Sequence, residues 1–191
     1  MKQETLMKPT NDLVFKALFG QESSKEYLKS LLEAILDAKI SDLTLVDPVL
    51  KIQDLDDKSS ILDIKVLTSE REQIDLEIQI TNQKHYSNRS LYYWARMYGG
   101  QLENGQQYRQ LKKAICINLV DFVHFQGQAD FHNSFLIRER NKGFTLTDHL
   151  EMHFIELPKF GYNKEKVLET GNALFHWLFS CVMQTDLAKR M

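Results

Sequence analysis

With 191 residues, 43% of them apolar and 26% charged, the chain is long enough to bury a core as one domain, 1–191, without disulfide or metal staples. It has no apolar run of bilayer length and no cleavable leader at its polar start, so a soluble, cytoplasmic protein with no membrane partner is expected. The net charge of −2 gives no overall pull on nucleic acid, and Cys116 and Cys181 lack ligand spacing, which argues against a disulfide framework and a zinc knuckle.

Thr10 or Asn11 can cap a first helix over about 12–19, closed by Gly20. A second helix over about 24–38 carries Tyr27, Leu28, Leu31, Leu32 and Ile35 at helical spacing. Residues 43–52 are β-prone but contain Pro48, which predicts an edge, a bulge or a break. The turn-rich segment 54–59 leads to the stretch that organises the chain, SILDIKVLTSEREQIDLEIQIT at 60–81.

In the second half of that stretch the alternation is complete. Ile74, Leu76, Ile78 and Ile80 take one side, and Asp75, Glu77, Gln79 and Thr81 take the other. In the first half, Asp63 and Lys65 interrupt an apolar run and share a face. If Asp63 and Glu77 are to meet on one side of an antiparallel hairpin, paired residues must have numbers totalling 140. That requires an odd loop centred on Glu70, of three or five residues; a two-residue turn at Glu70 and Arg71 separates the carboxylates unless a bulge restores the register. The plain alternative is that Asp75, Glu77 and Gln79 form a solvated strand face.

A helix over about 87–97 stops at Gly99 and Gly100, with Arg89, Tyr93 and Arg96 on one stripe. Residues 101–110 read as a loop or short helix, and 114–122 as a strand covered on both faces, with Cys116 in the core. Segments 131–140 and 149–157 form a hairpin about a turn at Asn141, Lys142 and Gly143, and Pro158 and Gly161 break the chain after it. A last helix over about 164–189 is weakened by Gly171. The ending AKRM carries no terminating signal, so a continuation beyond Met191 is expected.

The ordered set NDLVFKALFG (11–20), LDIKV with Asp63, IDLEIQ with Glu77 and Gln79, RSLYYWARMYGGQL from Arg89, and the strand ending in Asp121 and Phe122 resembles the core of the PD-(D/E)XK nuclease superfamily. More closely, it resembles the Rpn family of recombination-promoting nucleases, also described as putative transposases. The resemblance implies an α/β, restriction-endonuclease-like αβββαβ core, with a mixed central sheet flanked by helices, an added β-hairpin and a C-terminal helix. It also implies DNA phosphodiester hydrolysis in recombination or transposition, with Mg²⁺ as cofactor or Mn²⁺ in its place. Asp63, Glu77 and the Ile78 carbonyl would be the hard oxygen ligands.

Two positions depart from the superfamily pattern. Leu62 stands where a proline usually precedes the aspartate, and Gln79 stands where a lysine is usual. Glutamine donates hydrogen bonds but carries no charge, so a relocated cation is expected: Lys65 first, then Arg89 or Arg96. The catalytic set is then Asp63, Glu77, Gln79 and Lys65, with Arg89, Arg96, Lys112 and Lys113 as DNA contacts. Two other readings stay open. One is a non-catalytic nucleic-acid-binding module that retains the nuclease fold; the other is a homo-oligomeric interaction domain built on the aromatic helix 91–98 or on the hairpin beyond Phe131.

Overall fold

The computed structural model describes residues 12–50, 61–161 and 171–187; the expected caps at Thr10 and Asn11, the 54–59 turn and the 164–170 part of the last helix lie outside them. Helix α1 (Asp12–Phe19) ends where the Gly20 N–H donates to the Lys16 carbonyl at 2.8 Å; a Cβ on Gly20 would come within 2.7 Å of that oxygen, so only glycine makes this exit without displacement. Helix α2 (Lys25–Leu36) buries its stripe Leu28, Leu31, Leu32 and Ile35.

Strand β1 (Leu43–Val46) stops short of Pro48, and beyond it, among the described residues, an isolated bridge, Val49 to Ile61, continues the pairing. Strands β2 (Ile64–Thr68) and β3 (Gln73–Gln79) form the expected hairpin with the expected register: Ile64 faces Leu76, Lys65 faces Asp75 and Val66 faces Ile74, so each pair totals 140. The loop is Ser69, Glu70 and Arg71. It is closed by Thr68 N–H to Glu72 O at 2.9 Å, with Arg71 taking the left-handed conformation, φ 66°.

Helix α3 (Tyr86–Gly99) crosses to β4 (Ala114–Val120), which runs parallel to β3, as the αβββαβ order requires. The helix is longer at both ends than its sequence pattern suggests; it ends at Gly100, whose N–H donates to the Arg96 carbonyl. Strands β5 (His132–Arg138) and β6 (Thr145–Glu156) are the added hairpin, and β6 begins four residues earlier than expected, directly after the Gly143 turn. Helix α4 (Ala173–Leu187) begins only after Gly171, φ 60°, and Asn172, whose Oδ1 accepts the Leu174 N–H at 2.9 Å, so the helix expected over 164–189 does not run through Gly171 but starts beyond it. The six strands lie in the order β1-β2-β3-β4-β6-β5, parallel at β3/β4 and β4/β6 and antiparallel elsewhere.

Both faces of the sheet are covered. Helices α1, α2 and α4 pack with Ile64, Val66, Ile74, Leu76, Ile115 and Ile117 on one face. On the other, Tyr86 and Met97 of α3 pack with Cys116, Met152 and Phe154. This overturns the solvated-face reading of β3. Asp75 is 1% and Glu77 5% exposed, because α3 lies over the side that carries them. Period two says which residues share a face, and it is silent on what packs there.

Candidate active-site cleft

Asp63 sits where β2 begins, one position outward from the Ile64–Leu76 pair, which places it across from Glu77. The ladder changes character at this point. The Asp63 N–H donates to Glu77 Oε1 at 2.9 Å, and the Ile78 N–H donates to Asp63 Oδ2 at 3.0 Å. A regular ladder would give the Ile78 N–H to the Leu62 carbonyl; instead the Leu62 N–H turns to the Pro48 carbonyl at 3.1 Å. The strand therefore peels away from β3, and the two carboxylates occupy the gap. Odd residues of β3 bond toward β4, as the Asp121 N–H to Gln79 O contact shows. The Ile78 peptide accordingly faces β2, and its carbonyl points to the side where the strands part.

A cleft of about 330 Å³ opens there, lined by Asp63, Glu77, Gln79, Arg89 and Tyr93 among others, with the backbone of Ile78 on its wall. Among the described residues, Arg89 lines it, with Nη2 3.5 Å from Glu77 Oε2, and Lys16, which is not in the lining, pairs with Asp63 from beside it, Nζ to Oδ1 2.9 Å. Arg89 also donates to Gln79 Oε1 at 3.0 Å and to Gln83 Oε1 at 2.9 Å, with its guanidinium 4.7 Å from the centre of the Tyr86 ring. The Gln79 amide is held at both ends, since its Nε2 donates to the Thr81 carbonyl at 3.1 Å.

Behind Glu77 lies a third carboxyl. Asp75 is buried against Cys116, whose thiol donates to Asp75 Oδ2 at 3.7 Å, and Asp75 Oδ1 has no hydrogen-bond partner. Burial, then the charges of Glu77 and Asp63, push the Asp75 carboxyl well above its ordinary range. Burial first and the Asp63 charge second raise Glu77 to about 7. Three carboxyls thus converge with two cations in a largely dry place, a combination that a divalent cation would relieve.

Among the described residues, no three His, Cys, Asp or Glu side chains are arranged to hold a metal ion. The donor set at the cleft is two carboxylates and one carbonyl, all hard oxygens, and it fits a cation that keeps several of its waters.

The sequence-derived candidates do not all meet. Asp63, Glu77, Ile78, Gln79 and Arg89 come together. Lys65 faces Asp75, two residues further into the hairpin, and does not line the cleft. Arg96 lies two turns along α3 from Arg89. Lys112 and Lys113 precede β4 at the opposite end of the sheet, with Lys113 five residues before the Asn118 that faces Glu77, or about 16 Å along the strand. Lys113 is moreover ion-paired with Glu151.

Sequence reasoning missed Lys16, which lies inside the NDLVFKALFG segment but 47 positions before Asp63. Its signal was a lone basic residue on a short apolar helix. In the sequence Asp75 is one member of an alternating face, and nothing in its spacing distinguishes a buried carboxyl from a solvated one.

Among the described residues, no helix is long and apolar enough to cross a membrane. No curated protein and no solved structure matches the chain. The family model described as PD-(D/E)XK nuclease family transposase matches residues 9–191, nearly the whole chain and including Lys16, Asp63, Glu77 and Gln79. With the six-stranded mixed sheet and its flanking helices in the corresponding order, the chain belongs to the PD-(D/E)XK nuclease family of transposases.

Proposed function

We propose that this chain is a divalent-metal-dependent DNA endonuclease that hydrolyses phosphodiester bonds in recombination or transposition. The observation that carries the reading is the exchange of hydrogen bonds between Asp63 and Glu77, which parts β2 from β3 and turns the Ile78 peptide toward the cleft. Asp63, Glu77 and the Ile78 carbonyl would hold Mg²⁺ or Mn²⁺. The chemistry such an ion supplies when bound is an acidified water and a polarised phosphate.

The chain's own residues supply orientation and charge. Lys16 fixes one oxygen of Asp63 and the Ile78 N–H fixes the other, so the carboxylate is held before any substrate arrives. Lys16, paired with Asp63 at 2.9 Å, is our candidate beside the expected Lys65 for the relocated counterpart of the lysine that Gln79 replaces. Arg89 holds Gln79 and Glu77 together and adds positive charge where a phosphate would enter. Gln79 positions through its amide rather than through charge.

The test is nicking of supercoiled plasmid by the full chain with Mg²⁺, Mn²⁺, Ca²⁺ or EDTA, beside Asp63→Ala and Glu77→Ala. Cleavage that needs Mg²⁺ or Mn²⁺ and disappears in both variants is the expected result. Cleavage that persists in EDTA, or in both variants, sinks the reading.

A further inference from the structure

A second crevice lies at the far end of the sheet from the cleft, with a volume of about 470 Å³. Its lining is Arg71, Gln101, Gln106, Arg109, Gln110 and Lys112: three cations, three carboxamides and no carboxylate. Three segments meet there, namely the β2–β3 loop, the stretch after α3 and the approach to β4. Cations that converge without an acid among them repel one another, and an anion removes that repulsion.

The crevice is held in shape by local hydrogen bonds. The Gln101 carboxamide is doubly bonded to the backbone of Lys112, accepting its N–H at 2.7 Å and donating to its carbonyl at 2.9 Å. Gln106 accepts the Glu103 N–H at 2.8 Å through Oε1, which leaves its NH2 as a donor. Arg71 is set by its left-handed backbone and by its N–H to Thr68 O bond. Arg109 lies in a short 3-10 turn, Tyr108–Gln110, closed by the Leu111 N–H to Tyr108 O bond at 3.1 Å.

A separate observation points to the kind of anion. Tyr108, next to Arg109, is 84% exposed, more than any other large apolar side chain described. A ring that buries so little contributes little to the fold. Outside the lining itself but one residue from Arg109, it offers an exposed flat face on which an unpaired base can stack, whereas the bases of an intact duplex are already stacked on each other.

We propose that this crevice is an accessory binding site for single-stranded nucleic acid, with backbone phosphate held by Arg71, Arg109 and Lys112 and a base stacked on Tyr108. The site needs no metal and does not depend on the chemistry of the cleft. Since cleft and crevice lie at the two ends of α3, a strand held at both would cross one face of the molecule.

The experiment is fluorescence anisotropy of labelled oligothymidylate with the full chain in EDTA, which removes cleavage from the readout. Tyr108→Ala is expected to weaken binding roughly 5- to 150-fold, the span of one base stack, while Tyr108→Phe retains it. The triple variant Arg71→Gln, Arg109→Gln, Lys112→Gln is expected to lower the slope of log affinity against log salt by about 2, at ~0.7 per phosphate neutralised. A fully paired duplex should bind equally well with or without the Tyr108 ring. Wild-type binding by Tyr108→Ala, or an unchanged salt slope in the triple variant, overturns the proposal. So does tripolyphosphate displacing the oligonucleotide with no effect of Tyr108→Ala, which would make the crevice a site for free anions.

Discussion

Asp63 and Glu77 hold each other through the backbone: the amide of one donates to the carboxylate of the other, and the peptide after Glu77 donates back to Asp63. The geometry makes Asp63 a structural residue as well as a candidate ligand. Asp63→Ala leaves the Ile78 N–H without its acceptor and should lower stability by about 1–3 kcal/mol. Asp63→Asn retains an acceptor oxygen and should lose less, while both abolish cleavage. Denaturant unfolding beside plasmid nicking checks this; an alanine variant as stable as the parent would contradict it.

Closure of the loop on the Thr68–Glu72 pair is what puts both carboxylates on one face. Deleting Glu70 leaves Ser69 and Arg71 as a two-residue loop that can close on the same pair, so the register and the Asp63–Glu77 alignment are retained. The expected outcome is a folded chain, changed in stability, in which Mg²⁺ still raises the melting temperature. Thermal melts with and without the ion report it, and loss of that rise would contradict it.

Gln79 accepts a hydrogen bond from Arg89, so restoring the usual lysine there should not restore a usual site. Gln79→Lys places an ammonium against the guanidinium and should cost about 1–3 kcal/mol of stability without raising cleavage. Adding Arg89→Gln should recover part of that loss. A double-mutant cycle with a coupling above about 0.5 kcal/mol is expected; strictly additive effects would mean the two side chains do not interact.

Lys16 and Lys65 can be compared directly. Lys16 contacts Asp63 at 2.9 Å, whereas Lys65 faces Asp75. Lys16→Gln should reduce the cleavage rate at least about 10-fold, within the range for losing one electrostatic stabiliser. Lys65→Gln should change it only a few-fold. Single-turnover rates on a plasmid substrate decide the order, and the reverse ranking would restore Lys65 as the relocated cation.

Glu77 makes stability depend on pH with an unusual sign. Burial and the Asp63 charge raise its folded pKa to about 7, while an unfolded glutamate titrates near ~4.3. Between those values the folded chain binds more protons than the unfolded one. Stability should therefore be highest below about pH 4.3 as far as this group is concerned, fall as pH rises to about 7, and level off above. The full loss approaches about 4 kcal/mol. Unfolding of the metal-free protein at pH 5 and pH 7.5 measures it, and Glu77→Gln should reduce the difference, with the part due to the raised Asp75 carboxyl remaining.

The amino-acid sequence by itself determined the local features of this protein. The alternation at 74–81 and Asp63 in an apolar run were enough to tie the hairpin register to the loop length, three or five residues if Asp63 and Glu77 share a face, because strand parity is a local rule; the folded chain has three. The α2 stripe, the α1 and α3 stops at Gly20 and Gly100 and the break at Pro48 were legible for the same reason. Only the tertiary structure decided which charges share the cleft. It laid α3 over Asp75 and Glu77, brought Lys16 to Asp63 across 47 residues, tied Arg89 to Gln79, and moved Lys112 and Lys113 to the opposite end of the sheet. Burial and charge pairing of that kind come from packing between elements distant in sequence, and no period within one element records its neighbours.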